Sequence, residues 1–182
     1  VVPAPTLTSY SPGVLAAGGT VIVTGTNFST TMAQNVVKFN GTAGVVTAAT
    51  STQLTVTVPA GVTAGNLTVD YAGVSLTGAA YTVVSAPTIT GVSATTVVVG
   101  ATITVTGTNF AAVDADNVVK FNGVAVTLTS ASTTSLVFTV PVGATTGTIT
   151  LEYAGVTATS ASVSVVPAPT LTSYSPGVLA AG

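Results

Sequence analysis

Apolar and polar positions alternate with period two along nearly the whole chain. In Thr20-Val-Ile-Val-Thr24 the residues Val21 and Val23 share one face, and Leu54-Thr-Val-Thr-Val58 and Leu67-Thr-Val-Asp-Tyr71 continue the same rhythm. Such alternation predicts half-buried antiparallel strands with one face on a core. An internal repeat sharpens this reading. Gly25-Thr-Asn-Phe28 returns as Gly107-Thr-Asn-Phe110, an offset of 82 (107 − 25). Asn35-Val-Val-Lys-Phe-Asn-Gly41 returns at the same offset as Asn117-Val-Val-Lys-Phe-Asn-Gly123. Each residue therefore has a counterpart, and the pair can be compared. Val21 and Val23 match Ile103 and Val105, whereas Ile22 between them matches Thr104. Apolar pairs mark the inward face and mixed pairs the outward one.

This comparison assigns the core to Val21, Val23, Phe39, Leu54, Val56, Leu67, Val69 and Tyr71 in the first copy. In the second it assigns Ile103, Val105, Phe121, Leu136, Phe138, Ile149, Leu151 and Tyr153. Turns such as Ser11-Pro-Gly13, Asn40-Gly41, Pro59-Ala-Gly61 and Ala72-Gly73 separate the runs, with Gly supplying positive φ and Pro a preset one. About seven antiparallel strands per copy follow, near Thr6–Ser9, Thr20–Gly25, Val36–Asn40, Val45–Ala48, Gln53–Val58, Asn66–Tyr71 and Val74–Val84. No stretch of about ten residues carries a helical period, so the expected fold class is all-β, a tandem of sandwiches.

The domains expected are 1–85 and 86–167, with 168–182 opening a third repeat. At that point Val165–Gly182 repeats Val1–Gly18 letter for letter, an offset of 164 (165 − 1). About half of the positions match at the shorter offset and all eighteen at the longer, so the larger repeating piece is a pair of domains. The joint around Val83-Val-Ser-Ala-Pro87 is too short and stiff to act as a flexible tether. Successive domains should hold a fixed angle and build a rod.

Together, Pro5-Thr-Leu-Thr-Ser-Tyr-Ser-Pro-Gly13, Val21-Ile-Val-Thr-Gly-Thr-Asn-Phe28, Val36-Val-Lys-Phe-Asn-Gly41 and Leu54-Thr-Val-Thr-Val-Pro59 resemble an IPT/TIG domain. The second copy matches through Val105–Phe110, Val118–Gly123 and Val137–Pro141, and departs where Ser-Pro-Gly becomes Ser93-Ala-Thr95. The resemblance implies an immunoglobulin-like β-sandwich, as in plexins, some transcription factors and many bacterial surface proteins. It also implies use as a building or binding module in extracellular tandem arrays. Members of the family that contact DNA do so from loops bearing Arg and Lys, and no loop here matches them.

Composition removes several functions. Charged residues make up 3% of the chain, against about 25% in ordinary soluble proteins. Two basic residues form no patch for phosphate, which disfavours nucleic acid as a partner. With no His, no Cys and four acids (Asp70, Asp114, Asp116 and Glu152), no unit supplies a tuned acid–base pair, so no catalytic residue and no cofactor are expected. No apolar run in this segment reaches the ~18–20 residues of a membrane helix. What keeps so uncharged a surface from aggregating must be Thr hydroxyls, attached sugars or burial against neighbouring chains.

The charges themselves repeat. Lys38 and Asp70 are matched by Lys120 and Glu152, and the two pairs have the same separation in sequence (70 − 38 and 152 − 120). If their strands are neighbours in an immunoglobulin-like sheet, the side chains meet on its outer face as structural ion pairs worth roughly 0.2–1 kcal/mol. The sharper alternative is a Lys–Asn isopeptide crosslink, which needs an Asn within reach in the core. Asp114-Ala-Asp116 resembles part of a Ca²⁺ loop, but the first copy has Met32-Ala-Gln34 there, so a solvated loop and no metal site are expected. Asn27-Phe-Ser29, Asn40-Gly-Thr42 and Asn66-Leu-Thr68 are formal N-glycosylation sequons that the second copy lacks. Chance in a Thr-rich chain accounts for them, with Asn27 expected to cap a turn; O-glycosylation of outward Thr and Ser is a separate route to sugar decoration.

Three functions follow from these features. The first is a non-catalytic structural repeat of an extracellular filament or cell-surface stalk, with neighbouring copies of the chain as partners, end to end and laterally. The second is an adhesin array that binds glycans or host proteins. The third is an accessory module of a larger carbohydrate-active protein.

Overall fold

The computed structural model describes residues 3–173, and the part of the expected third repeat from 174 onward lies outside them. Each copy folds as two packed β-sheets. In the first, the strands are β1 (Thr6–Ser11), β2 (Val14–Leu15), β3 (Thr20–Thr26), β4 (Val36–Phe39), β5 (Thr42–Ala43), β6 (Val45–Ala49), β7 (Gln53–Thr57), β8 (Gly65–Tyr71) and β9 (Val74–Val83). In the second they are β10 (Thr88–Val92), β11 (Thr96–Val97), β12 (Thr102–Thr108), β13 (Val118–Phe121), β14 (Val124–Ala125), β15 (Leu128–Ala131), β16 (Ser135–Thr139), β17 (Gly147–Tyr153) and β18 (Val156–Val165). One sheet of domain 1 has the order β1-β3-β7-β6 and the other β2-β9-β8-β4-β5; domain 2 repeats both. These are tandem immunoglobulin-like sandwiches.

Two features depart from the seven-strand, wholly antiparallel expectation. The first edge strand breaks at Pro12-Gly13 and crosses to the other sheet, where β2 pairs with β9 in parallel (Val14 opposite Thr82, Leu15 opposite Val83). Domain 2 makes the same switch between β10 and β11 through Ser93-Ala94-Thr95, so the crossing needs no Pro-Gly. The two-residue strand β5 adds a second short edge beside β4. Short edges of this kind limit pairing with other chains.

The core lies between the sheets. Val21, Val23, Phe39, Leu54, Val56, Leu67 and Val69 are fully buried, as are Ile103, Val105, Phe121, Leu136, Phe138, Ile149 and Leu151. Tyr71 and Tyr153 do not join them. Each is the last residue of its strand, half-buried at the turn end of the sandwich and outside the packed cluster. The tyrosine inside the first core is Tyr81, packed edge-on against Phe39 with ring centroids 5.8 Å apart.

Gly25 and Gly107 occupy equivalent places under the first strand of their domains. A Cβ at either would run into the backbone oxygen of Thr6 or Thr88 and into the ring of Phe28 or Phe110. The Gly-Thr-Asn-Phe repeat is therefore a packing motif: glycine lets the edge strand and the aromatic ring close on the same point.

Candidate functional site

In a chain with so few charges, the charged side chains are the first candidates for a site. β4 and β8 are antiparallel neighbours, with Lys38 opposite Thr68 and Val36 opposite Asp70. This diagonal brings Lys38 Nζ to 2.7 Å from Asp70 Oδ2 on the outer face, with the two side chains 40% and 32% exposed. Ser75 on β9 donates a second hydrogen bond to Asp70 Oδ1. Hydrogen bonding from the Lys38 ammonium, and then from the Ser75 hydroxyl, holds the Asp70 carboxyl below its ordinary range.

The counterpart pair does not form. Among the described residues Lys38–Asp70 is the one ion pair within 4.0 Å, and Lys120 and Glu152 are not brought together. Their strands have the same register. The difference lies in the side chain, because Glu152 has one more torsion to fix than Asp70 and Thr157, in place of Ser75, makes no hydrogen bond to it. Lys38 Nζ is held by a surface carboxylate, while the amide of the buried Asn35 is taken up by Ser29 and Thr31. Asp114–Asp116 forms a single 3-10 turn, and no group of three or more acidic, His or Cys side chains is gathered among the described residues.

The polar groups that organise each domain are asparagines. Asn35 is 3% exposed and its amide replaces a missing backbone partner three times over: it accepts from Ser29 N (3.1 Å) and donates to Ser29 O (2.8 Å) and Thr31 O (3.3 Å). Asn117 does the same for Ala111 N, Ala111 O and Val113 O at 3.0, 2.8 and 3.1 Å. Each clamps the loop that leads into β4 or β13. Asn27 and Asn109 have left-handed backbones (φ 57° each). Asn27 does not cap its own turn; its Nδ2 reaches back to Ala4 O, and Asn109 Nδ2 likewise reaches Ala86 O, both at 2.9 Å. Asn109 thus ties down the chain entering domain 2. The other two sequon amides are also engaged, Asn40 with Thr63 and Ala64 and Asn66 with Gly78 O.

The sequence marked a stiff joint between the domains but not the contact that forms beside it. The turn joining β17 to β18, Ala154-Gly155, seats against the loop Ala16–Gly19 that precedes β3. Ala16 N donates to Ala154 O (3.1 Å) and Thr20 N to Gly155 O (2.9 Å). The approach is close because residue 19 lacks a side chain: a Cβ there would lie 2.8 Å from Ala154 O. Ala154 has φ 52°, a left-handed conformation that costs a residue bearing a Cβ roughly 1–2 kcal/mol. Asn or Gly is usual at such a turn position. Here the side chain is 4% exposed against domain 1, so the small residue is what the docked space admits. Beside the contact lies an open cleft of about 320 Å³ lined by Ser11–Val14 of domain 1 and by Asp116, Tyr153 and Ala154 of domain 2.

No helix among the described residues is long and apolar enough to cross a membrane, which says nothing of strands in a barrel. The family model described as "IPT/TIG domain" matches residues 5–84 and 87–167. Among solved structures, the extracellular region of plexin A4 aligns over 91% of this chain and 16% of its own, at 16% identity and a TM-score of 0.52. A protein termed SGBP-B, from a complex xyloglucan utilization locus in Bacteroides uniformis, aligns over 87% of this chain and 48% of its own, at 24% identity and a TM-score of 0.38. The chain thus spans less than half the length of either, and the plexin likeness is one of fold alone. No curated protein matches the sequence.

Proposed function

Because the chain belongs to the IPT/TIG domain family, we propose that it is a non-catalytic structural repeat of an extracellular filament or cell-surface stalk, built from stacked immunoglobulin-like domains. The joint carries this reading. Two backbone hydrogen bonds between Ala16–Thr20 and Ala154–Gly155 fix one domain on the next, and the Asn109 amide fixes the linker beside them. A binding module strung on a flexible tether has no need of such a contact, whereas a stiff rod does. The recurrence of Val1–Gly18 at Val165–Gly182 supports the same conclusion from the sequence: the two-domain unit is followed by the start of another.

The surface fits this role. With charge nearly absent, the outer strands present Thr, and Thr6–Thr26 and Thr88–Thr108 join neighbouring strands through their hydroxyls at 2.7 Å. Such a surface suits lateral packing against copies of itself, or decoration with glycans, better than selective capture of a ligand. Cryo-electron microscopy of the native material, with the intact mass of the denatured chain, tests the proposal. A continuous rod repeating every two domains, made of very large chains, is the expected result. Chains with the mass of only two domains, found within the same rod, would point to short subunits joined by strand exchange. Isolated monomers with no rod would sink the stalk and leave the glycan-binding or host-binding array in its place.

A further inference from the structure

The two ends of the pair are not equivalent to the two faces of its inner joint. On domain 1 the joint loop reads Ala16-Ala-Gly-Gly19; at the same end of domain 2 it reads Val98-Val-Gly-Ala101. The neighbouring turn changes from Pro59-Ala-Gly61 to Pro141-Val-Gly143. Every alteration enlarges an apolar side chain. Ala16 is fully buried beneath the docked turn and its counterpart Val98 is half-buried. Val99 and Val142 stand 41% and 87% exposed where Ala17 and Ala60 are exposed too, so the enlarged side chains extend the apolar end past the area the inner joint covers. Val166, just past the end of β18, is 40% exposed and lines a cleft with Val99. Domain 2 therefore ends in an apolar surface that nothing among the described residues covers.

The opposite end of domain 1 differs from its counterpart in the matching sense. Domain 2 carries Asp114 and Asp116 in the turn beside its joint, and Asp116 lines the cleft there. Domain 1 carries Met32 and Gln34 at these positions, with Met32 46% exposed, at the same end as the half-buried Tyr71. Ala72 repeats the left-handed conformation of Ala154 (φ 51°) although it is exposed here. A strained Ala where Asn would be relaxed is explained at 154 by the docked neighbour; the same strain at 72 asks for a neighbour too.

We propose that the Val98-Val99-Val142 end of domain 2 is the docking surface for the Met32-Tyr71-Ala72 end of domain 1 in the next copy of the pair. The joint between pairs is then apolar and wider than the joint within a pair. The inner joint cannot be reproduced there, because Ala101 stands where even a methyl group would press to 2.8 Å against the incoming carbonyl. Larger side chains fill the added gap and replace the backbone hydrogen bonds. The proposal rests on the stalk reading, since it takes a domain of the first type to follow Val165.

The chain lacks cysteine, so single cysteines can report on burial. Val99→Cys and Val142→Cys are made separately in the 182-residue chain, and in the first copy of a chain continued past Gly182 by a second copy of residues 19–164. Maleimide labelling is timed in all four, while amide exchange at Val119–Phe121 verifies that domain 2 is folded in each. Labelling at least about tenfold slower in the continued chain is expected, as the thiol reacts only from the undocked state. Equal rates in the short and continued chains would overturn the proposal. The stalk reading fails separately: a native rod whose Val99→Cys variant labels freely removes this joint and keeps the stalk, whereas slow labelling without any native rod keeps the joint and removes the stalk.

Discussion

Replacing Asn35 by Ala should unfold domain 1 selectively, and the size of the effect follows from three hydrogen bonds. The amide of Asn35 holds Ser29 N, Ser29 O and Thr31 O, and both Asn35 and Ser29 are buried. A typical internal hydrogen bond contributes about 0.5–1.5 kcal/mol net, and a buried donor left without a partner costs about 1–3 kcal/mol. In Asn35→Ala the Ser29 amide becomes such a donor, and two carbonyls lose a partner. The loss comes to roughly 2–4 kcal/mol, a large part of the ~5–15 kcal/mol that holds a domain folded. At about 4–8 °C per kcal/mol for a domain of this size, the melting point of domain 1 should fall by roughly 10–25 °C.

Domain 2 serves as the internal control, since its clamp, Asn117, has the same three partners in Ala111 and Val113. Thermal unfolding followed by hydrogen exchange separates the domains through the amides of β4 and β13. Asn35→Ala should deprotect β4 and spare β13, and Asn117→Ala the reverse. Asn35→Asp should be worse than Ala at neutral pH, because a carboxylate keeps the Ser29 N–H but faces two carbonyls it cannot donate to. A shift below about 2 °C for either Ala variant, or equal deprotection of both domains, would refute the clamp as the element that holds the loop.

Acid should weaken domain 1 through Asp70: its folded pKa is depressed, so the stabilisation is full above the unfolded carboxyl value and is lost as pH falls through the folded one. Asp70→Asn should flatten the melting temperature of domain 1 between about pH 5 and pH 2, by an amount within the ~1 kcal/mol typical of exposed pairs, and an unchanged acid slope would count against it. Tyr81 carries a buried hydroxyl with no hydrogen-bond partner, so Tyr81→Phe should leave domain 1 as stable or raise it by about 1 kcal/mol in urea titration; a loss of that size would mean the hydroxyl is satisfied. Gly25→Ala and Gly107→Ala should each abolish the folding of their own domain, since the added methyl meets backbone as well as a ring, and circular dichroism of a folded variant would contradict the packing.

Alternation and the comparison of the two copies made the sheets legible, because the side-chain period of a strand is fixed by its backbone. That comparison reads which face a residue is on and is blind to depth along the strand. Tyr71 and Tyr153 therefore read as core although they lie outside the packed cluster, while Tyr81, whose counterpart in the second copy is Val163, lay unnoticed. Asn35 and Asn117 drew no role from the pattern for a related reason: their burial follows from a loop that lacks backbone partners, which no periodicity records. One signal was present, since the polar Asn is unchanged between copies while its neighbours Gln34 and Asp116 differ. The spacing of Lys120 and Glu152 matched that of Lys38 and Asp70, but spacing fixes the strands and leaves open whether a longer acid closes the contact. The stiffness of the joint was legible in Val83–Pro87, but its contact was the least legible part, because its hydrogen bonds are made by backbone atoms.

In the proposed stalk, the joint also accounts for the two periods of the sequence. If every domain met its neighbours in the same way, one domain would be the interchangeable piece, and successive domains would be free to stay alike. They match at about half of their positions, and the differences include both ends: Gly19 against Ala101, Ala17 against Val99, Gln34 against Asp116. An end that has adapted to a small, hydrogen-bonded partner cannot receive a bulky apolar one without a gap or a clash. The smallest piece that fits on both sides is then the pair. Identity over Val1–Gly18 and Val165–Gly182 is what duplication of that pair leaves behind, and the interior of each domain, which touches no neighbour, is free of this constraint.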